Sequence, residues 1–287
     1  MSLSLKKHPS FAGRPGPVVI LVADGVGVAP AGPSNAVTEA NTPTLDRLAN
    51  QSLYTELAAH GTAVGLPSDE DMGNSEVGHN AIGAGRIFAQ GAKLVNQALA
   101  NGEAYDTDVW KQAIQHGRNH TLHLMGLHSD GNVHAHTQHL YALMRKAAEQ
   151  GVRECCLHIL LDGRDVAARS ALNYIATTEA LISEINAQYA ANFRIASGGG
   201  RMRITMDRYE ADWEMVRRGY HCHTHGIGEH FESAAQAVES MYQSTGKDDQ
   251  NLPAFVIQKD GEAVGRMNDG DAVILFNFRG DRAIEIS

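Results

Sequence analysis

The sequence predicts an α/β protein in which mostly parallel sheets are covered by helices on both faces. Two observations support this class: segments typical of buried strands alternate with helical segments, and glycines follow several of the helical segments. The strands are predicted, in chain order, at residues 18–23, 54–58, 121–127, 155–161, 193–196, 254–258 and 272–278.

Helices are predicted between these strands, at residues 43–50, 93–101, 108–116, 137–150, 168–189, 207–218 and 232–243. Thr42 followed by Pro43 is typical of an N-cap and a first helical position. A further short helix is predicted at residues 76–82, after the turn signal Gly73-Asn74. C-terminal glycines are expected after four of the helices, at Gly102, Gly117, Gly151 and Gly219.

Composition excludes several classes of protein. A chain of 287 residues ordinarily forms one large or two medium domains. No segment reaches the roughly 18 to 20 apolar residues of a membrane span, and the basic N-terminus lacks the apolar core of a secretory signal, so we expect a frayed arm there. The formal net charge of −9 argues against nucleic acid as a partner, and a phosphorylated ligand would need a local cluster of positive charge.

The three cysteines indicate a compartment. Cys155 and Cys156 are adjacent in a predicted strand and therefore point to opposite faces, so no disulfide is expected between them. Together with Cys222 they are predicted to be buried thiols in a reducing compartment, and the cytoplasm fits this description.

Two polar residues suggest phosphoryl chemistry. Ser75 lies between a turn signal and a predicted helix, where backbone N–H groups of the first turn can face a ligand. Asp24 follows the predicted strand 18–23, and an acid at the carboxyl end of a buried strand is well placed to hold a metal. The simpler alternatives are that Asp24-Gly25 is a turn and that Ser75 is a helix cap.

Polar residues follow the carboxyl ends of the other predicted strands as well. They lie at residues 128–136, 162–165, 197–201 and 277–282. In open α/β sheets ligands bind at that edge, so this placement favours a binding site there.

Six segments, in order along nearly the whole chain, closely resemble the cofactor-independent phosphoglycerate mutase family of the alkaline phosphatase superfamily. They are Ala23-Asp-Gly-Val26, Asp71-Met-Gly-Asn-Ser-Glu-Val-Gly-His-Asn80, Ser129-Asp-Gly-Asn-Val-His134, Leu161-Asp-Gly-Arg-Asp165, Gly200-Arg-Met202 with Met206-Asp-Arg208, and Phe276-Asn-Phe-Arg-Gly-Asp-Arg282. The spacing of Arg201 and Arg208 resembles the longer, plant-type subgroup, and Arg203 is the alternative to Arg201. Asn132 stands where the family more often has glycine, and we expect the turn to survive because Asn tolerates left-handed backbone angles.

The resemblance implies two domains. Residues 1–88 correspond to the N-terminal piece of a metal-binding, phosphatase-like domain, and residues 89–287 to an inserted phosphotransferase domain, incomplete at its C-terminus. The chain resembles the N-terminal half of the family only, so we expect a fragment that is inactive alone and a monomer when full length.

The resemblance also implies a reaction and its residues. The family interconverts 3- and 2-phosphoglycerate, with Ser75 carrying the phosphoryl group. Two divalent metal ions assist it, with Mn²⁺ expected first and Mg²⁺ or Co²⁺ as alternatives, and no 2,3-bisphosphoglycerate is required. Asp24 and Ser75 would be the metal ligands from this segment, and Asp165 would act as general base, with capping of the following helix as its alternative role. The implied substrate residues are His134, Arg164, Asp165, Arg201, Arg208, Arg279 and Arg282.

Alternatives of other classes remain open at this point. The chain could come from another phosphomutase or a phosphatase of the superfamily, or it could be a module that binds phosphoglycerate without turnover. His221, His223 and His225 alternate and would share one face of a strand, where they could bind zinc. The competing interpretation is that these histidines lie near a helix end in solvent.

Overall fold

We describe a computed structural model of the chain, which covers residues 7–23, 25–51 and 54–287. The chain divides into two compact units, residues 1–57 and 58–287. The first unit contains two short helices, α1 (Ala36–Glu39) and α2 (Pro43–Ala49). Pro43 is the first residue of α2, as predicted, and the Thr42 hydroxyl donates to the Asp46 carboxylate at 3.0 Å.

The prediction of a buried strand at residues 18–23 is wrong for this chain. The described residues of that segment form no strand, and Val19 and Leu21 are 83% and 91% exposed. A strand satisfies its backbone groups by pairing with a neighbour, and within the described ranges no segment pairs with this one. No strand forms at residues 54–58 either, and Asp24 lies outside the described residues.

The second unit begins with four helices and continues into a mixed sheet with helices between its strands. A single 3₁₀ turn at Gly61–Val64 precedes them. The helices of this unit are α3 (Ser75–Ala84), α4 (Gly91–Ala100), α5 (Glu103–Asp106), α6 (Asp108–Asn119), α7 (Thr137–Glu149), α8 (Ala171–Tyr189), α9 (Trp213–His225) and α10 (Ala234–Thr245). Another 3₁₀ turn covers Asp249–Asn251.

The sheet is mostly parallel, which confirms the predicted class. Its strands are β1 (Leu122–Leu127), β2 (Glu154–Leu161), β3 (Asn192–Gly200), β4 (Glu229–Phe231), β5 (Phe255–Lys259), β6 (Glu262–Ala263) and β7 (Ala272–Leu275). The order is β4-β5-β3-β2-β1-β7, and β6 pairs with β5. Neighbours among β3, β2, β1 and β7 run parallel, and β5 is antiparallel to β3.

The core lies on the central strands. Every residue of β1 is buried, as is every residue of β2 except Glu154, which is typical of strands covered on both faces. Cys155, Cys156 and Cys222 are buried free thiols, so the prediction of buried, unpaired cysteines is confirmed.

Several boundaries differ from the prediction. Strand β3 extends through Gly198–Gly200. Glycine is required at 198, because a side chain there would collide with the Ile159 carbonyl of β2 and with Phe255. Gly117 and Gly219 lie inside α6 and α9 rather than after a helix. The helix predicted at 207–218 begins only at Trp213, where the Asp212 side chain caps it through the Met215 N–H.

The four parallel strands place their carboxyl ends at one edge of the sheet. The loops at residues 128–136, 162–170, 201–212 and 276–283 follow β1, β2, β3 and β7 respectively. The predicted convergence of motif loops at that edge is therefore confirmed. None of the described helices combines the length and the apolar character that crossing a bilayer requires.

Candidate active site

Arg201 is the most buried cation of the site. It follows β3, is 2% exposed, and its Nη1 lies 2.8 Å from Asp162 Oδ1 and 2.5 Å from Asp165 Oδ2. Arg203 is exposed, and its side chain makes no hydrogen bond to a described residue. Its backbone carbonyl accepts a hydrogen bond from Arg218. Of the two candidates, Arg201 is therefore the one at the edge of the sheet.

Asp162 is a site residue that the sequence analysis did not select, although it lies in one of the six motif segments. It is buried and accepts from Ser129 Oγ at 2.5 Å and from the N–H groups of Arg164 and Asp165 at 3.1 and 3.0 Å. These bonds fix the turn after β2 and join it to the loop after β1. The sequence signal that could have identified Asp162 is an acidic residue directly after a predicted buried strand.

Asp165 does not cap the following helix. Helix α8 begins at Ala171, and its first N–H groups are bonded by Asp249, which accepts from Ser170 N at 2.9 Å and Ala171 N at 3.2 Å. The alternative role suggested for Asp165 is therefore wrong, and its carboxylate faces Arg201 instead.

A second group of charges surrounds Asp281. Its Oδ2 lies 3.0 Å from Arg279 Nη2 and 3.3 Å from Arg208 Nη1, and its Oδ1 lies 3.4 Å from His134 Nδ1. Burial, followed by the charges of Arg201, Arg279 and two further arginines, lowers the pKa of His134 to about 2. His134 is therefore a neutral imidazole at any physiological pH.

Two arginines of the site form no ion pair within the described part of the chain. Arg282 is buried and donates to the Met206 carbonyl at 2.7 Å, and Arg164 reaches the Met202 sulfur at 4.0 Å. Burial and then the neighbouring Arg208 and other arginines lower the pKa of Arg282 from its usual value. Because Arg201 and Arg279 already face carboxylates, uncompensated positive charge is concentrated at Arg164 and Arg282.

Several buried polar atoms of the site lack a hydrogen-bond partner among the described residues. They include the donors Arg201 Nε, Arg279 Nε and Asn277 Nδ2, the acceptor Asp281 Oδ1, and His134 Nδ1, whose role depends on the ring tautomer. Arg279 Nε lies 3.1 Å from Glu76 Oε2 without the alignment of a hydrogen bond. Buried donors without partners are costly and rare, so their clustering favours a bound anion.

Ser75 is the first residue of α3, and it is not the cap. Asn74 caps the helix, because its Oδ1 accepts from Glu76 N at 3.0 Å and Val77 N at 3.2 Å. His79 Nδ1 lies 2.7 Å from the Ser75 carbonyl and 3.2 Å from Ser75 Oγ. A carbonyl only accepts, so His79 Nδ1 carries a hydrogen and is not free to accept the Ser75 proton.

Two contacts join the segment around Ser75 to the arginine loops. Glu76, which follows Ser75, lies 3.1 Å from Arg279, and Asp71 Oδ1 accepts from Asn132 Nδ2 at 2.5 Å. Asn132 has a φ of 55°, so the left-handed turn expected at this position is present. The residue that follows the candidate nucleophile therefore contacts the arginine cluster.

The described residues do not by themselves form a divalent metal site. Across residues 7–23, 25–51 and 54–287, no three His, Cys, Asp or Glu side chains are grouped closely enough to hold an ion. Two such ions need more carboxylate or imidazole ligands than Ser75 offers, and the second expected ligand, Asp24, is outside those ranges.

The histidines at positions 221, 223 and 225 lie on helix α9 and not on a strand. His223 faces away from His221 and His225, whose ring centroids are 5.4 Å apart on one face. Because no three potential ligands are grouped among the described residues, the zinc alternative has no geometric support. His223 is buried and His225 is exposed, so the solvent interpretation holds for only part of the motif.

The chain matches a known protein family. Residues 95–287 match the family model described as BPG-independent PGAM N-terminus (iPGM_N). The chain belongs to this family. The family resemblance found in the sequence is thus confirmed.

The chain is also similar to curated phosphoglycerate mutases. The chain is 50% identical to a probable 2,3-bisphosphoglycerate-independent phosphoglycerate mutase of Leptospira interrogans, over 99% of this chain and 52% of that protein. It is 47% identical to the 2,3-bisphosphoglycerate-independent phosphoglycerate mutase of Zea mays, over 100% of this chain and 52% of that protein. The chain therefore spans about half the length of the curated relatives it matches.

A solved structure shows the same fold. A Leishmania mexicana phosphoglycerate mutase, crystallised at low cobalt concentration, is 42% identical, with a TM-score of 0.85 over 89% of this chain and 48% of that protein. The arrangement of strands and loops described above is thus similar to that of a phosphoglycerate mutase.

Proposed function

We propose that this chain supplies the substrate-binding residues and the nucleophile of a 2,3-bisphosphoglycerate-independent phosphoglycerate mutase. The reaction is the interconversion of 3- and 2-phosphoglycerate through a phosphoserine at Ser75. The observation that carries the proposal is the convergence of five arginines from three loops at one sheet edge, beside the helix that begins with Ser75. Phosphoglycerate is matched to such a site, because it presents a phosphate at one end and a carboxylate at the other.

The charges suggest how the substrate is held. Arg164 and Arg282, which face no carboxylate among the described residues, are proposed to bind the two anionic ends. His134 is neutral, so it can contact a phosphate oxygen or a hydroxyl without altering the charge of the site. Arg208 and Arg279, now paired with Asp281, would contribute to the same anion pocket.

Asp165 is proposed as the general base between the two half-reactions. Its Oδ2 accepts from Arg201, and its Oδ1 makes no hydrogen bond to a described residue. This arrangement orients the carboxylate and leaves one oxygen for a glycerate hydroxyl, which is what proton transfer requires. Arg201 therefore balances the negative charge of Asp165 and fixes the position of its carboxylate.

Divalent metal ions are proposed as cofactors of the complete enzyme. The support is the family itself and the cobalt in the crystals of the Leishmania mexicana relative. Mn²⁺ is our first choice, and Mg²⁺ or Co²⁺ are alternatives. When bound, such ions lower the pKa of a serine hydroxyl and neutralise charge on a transferring phosphoryl group. Asp24 and Ser75 are the proposed ligands from this chain.

The domain boundary near residue 88 is also a proposal. Val64, Leu66 and Val77 form a small apolar cluster separate from the main core, which begins at Trp110. This separation supports assigning residues up to about 88 to a phosphatase-like domain and residues 89–287 to the inserted domain, although the compact units of the chain divide at residue 57. A monomeric, cytoplasmic enzyme without a nucleic-acid partner fits the charge and the free thiols.

A phosphoenzyme trap tests the reaction. The chain extended to the full family length is incubated with phosphoglycerate, quenched in acid and digested for mass spectrometry. We expect phosphate on the peptide that contains Ser75 and none in a Ser75→Ala variant. Phosphate on another residue, with activity retained in the alanine variant, would rule out the proposed nucleophile.

A further inference from the structure

A chain of buried polar side chains crosses the core between the sheet and α9. Its members, which we call the histidine relay, are Asp271, His123, His158, Ser197, His223 and Thr205. Starting from Asp271 Oδ2, the five successive separations are 3.2, 2.9, 2.7, 2.8 and 3.0 Å. The three histidines are at most 1% exposed. None of these residues belongs to the proposed substrate site.

Asp271 anchors one end of the relay as a carboxylate. Its oxygens accept from the N–H groups of Thr121 at 2.9 Å and Asn268 at 2.7 Å. Burial raises the pKa of Asp271, but these bonds and the bond from His123 outweigh that effect and hold the pKa below its usual range. A carboxylate only accepts, so His123 Nε2 must donate to it and His123 Nδ1 must accept.

The direction of every other bond follows from that anchor. His158 donates through Nε2 to His123 and accepts at Nδ1 from the Ser197 hydroxyl. Ser197 in turn accepts from His223 Nδ1, and His223 Nε2 accepts from the Thr205 hydroxyl. Burial lowers the pKa of His223 to about 3 and that of His158 well below its usual value. Each ring is therefore neutral, with one defined tautomer.

The relay ends on an unusual backbone conformation. Thr205 has a φ of 67°, in the left-handed region where a β-branched residue is a true outlier. Gly219 of α9 packs against it so closely that any side chain at 219 would collide with the Thr205 hydroxyl. His223 lies one helical turn after Gly219, on the same face. Helix α9 thus contacts Thr205 through both residues.

The same turn positions the arginine cluster. Thr205 lies between Arg201 and Arg208 in the chain, and the carbonyl of the next residue, Met206, accepts from Arg282 Nη1 at 2.7 Å. A change in the backbone angles at Thr205 would move that carbonyl and release Arg282.

We propose that the histidine relay is a positioning device for the arginine cluster: His223 holds the Thr205 hydroxyl, and the resulting turn places Met206 O where it orients Arg282. The inference rests on the proposed function only in naming phosphoglycerate as the anion. The contacts among His223, Thr205, Met206 and Arg282 do not depend on that proposal. Its residues are positioning residues, because none of them faces the substrate.

Thr205→Val is the most direct perturbation, since it keeps the shape and β-branching of the side chain and removes the hydroxyl. Thr205→Ser restores the donor. Thr178→Val is the control: Thr178 is buried and its hydroxyl lies 2.7 Å from His128 Nε2 and 3.0 Å from the Tyr141 hydroxyl, so the variant loses a hydroxyl–histidine bond, and a further bond to a tyrosine, elsewhere in the core. All variants are made in the 287-residue chain.

Three quantities are measured by NMR on ¹⁵N-labelled protein: the histidine tautomers, the Arg282 Nε–H signal and the Kd for 3-phosphoglycerate. The imidazole nitrogens of the wild type report tautomers, and we expect hydrogen on Nε2 of His123 and His158 and on Nδ1 of His223. The Nε–H signal of Arg282 and the Kd for 3-phosphoglycerate report the site. We expect Thr205→Val to shift that signal and to weaken binding about tenfold, the usual worth of one buried hydrogen bond. Thr205→Ser and Thr178→Val should stay within about twofold of the wild type.

Several results would overturn the proposal. A wild-type His223 carrying hydrogen on Nε2 contradicts the relay, even if no Thr205 variant folds. An unchanged Arg282 signal in Thr205→Val, or an equal effect in Thr178→Val, contradicts positioning. If the wild type fails to bind 3-phosphoglycerate, the proposed substrate is wrong, and the Arg282 signal still decides whether the relay positions the cluster.

Discussion

Comparing two substitutions of Asp162 should separate the stability that its charge contributes from the stability that its hydrogen bonds contribute. Its carboxylate accepts four hydrogen bonds, from Arg201, Ser129 and two backbone N–H groups. Asp162→Ala removes all four and leaves the buried Arg201 with Asp165 alone, so we expect a loss of about 3–5 kcal/mol in the free energy of unfolding. Asp162→Asn keeps the acceptor for the backbone and removes the charge, so we expect about 1.5–3 kcal/mol.

Urea unfolding of the 287-residue chain measures both losses. Trp110 is buried in the main core, so its fluorescence follows the relevant transition. With a slope of about 3 kcal/mol per molar urea, the alanine variant should unfold about 1 M or more earlier. Glu184→Gln is the control, because it breaks an exposed ion pair with Arg145, and it should leave the midpoint unchanged. An unchanged midpoint in Asp162→Ala, or equal losses in the two Asp162 variants, would refute the assigned role of the buried charge.

Further outcomes follow from the same geometry. Burial lowers the pKa of His128 from 6.5 to about 4, so the unfolded chain binds more protons than the folded chain below pH 6.5. Stability should fall by roughly 3 kcal/mol from this group as the pH falls from 6.5 to 4. His128→Gln should remove that contribution to the fall in the urea midpoint, whereas the contributions of His134, His139 and His223 remain, and a midpoint that falls equally steeply in the variant would contradict this. In the full-length protein, Ser75→Ala should abolish turnover in a coupled mutase assay while circular dichroism stays native, and turnover by the variant would remove Ser75 from the mechanism. Full-length activity should need a divalent metal and no added 2,3-bisphosphoglycerate, so a rate unaffected by exhaustive chelation would contradict the metal proposal. The 287-residue chain alone should show no turnover even with saturating Mn²⁺, and a rate near that of a full-length relative would refute its assignment as an incomplete part.

The sequence predicted the central sheet because its signals are local. Buried strands such as β1 and β2 are continuous apolar runs of the right length, and helix α7 has clear apolar periodicity. The loops that carry the arginines follow β2, β3 and β7. Short or glycine-rich pieces such as β4 and the end of β3 carry little local signal, so their extent depends on neighbours far away in the chain.

Other features depend on tertiary contacts that no local pattern contains. The segment 18–23 has strand-like residues but no pairing partner among the described residues, and its side chains are exposed. Asp165 precedes a helical segment, which suggested a cap, yet that helix is capped by Asp249, 78 residues after Ala171. The alternating histidines suggested a strand, whereas α9 buries His223 against the sheet. Asp281 was not selected because its partners come from three separate loops.

The central claim is that the arginine cluster at the carboxyl edge of the sheet binds phosphoglycerate. Titration of the ¹⁵N-labelled 287-residue chain with 3-phosphoglycerate, followed by the arginine Nε–H signals, tests it directly. We expect saturable shifts at Arg164, Arg201, Arg208, Arg279 and Arg282, with a weak Kd of about 1 mM, and no shift at the exposed Arg145. Glycerol at the same concentration should have no effect. Shifts confined to other arginines, or none at about 10 mM ligand, ten times that Kd, would contradict the account.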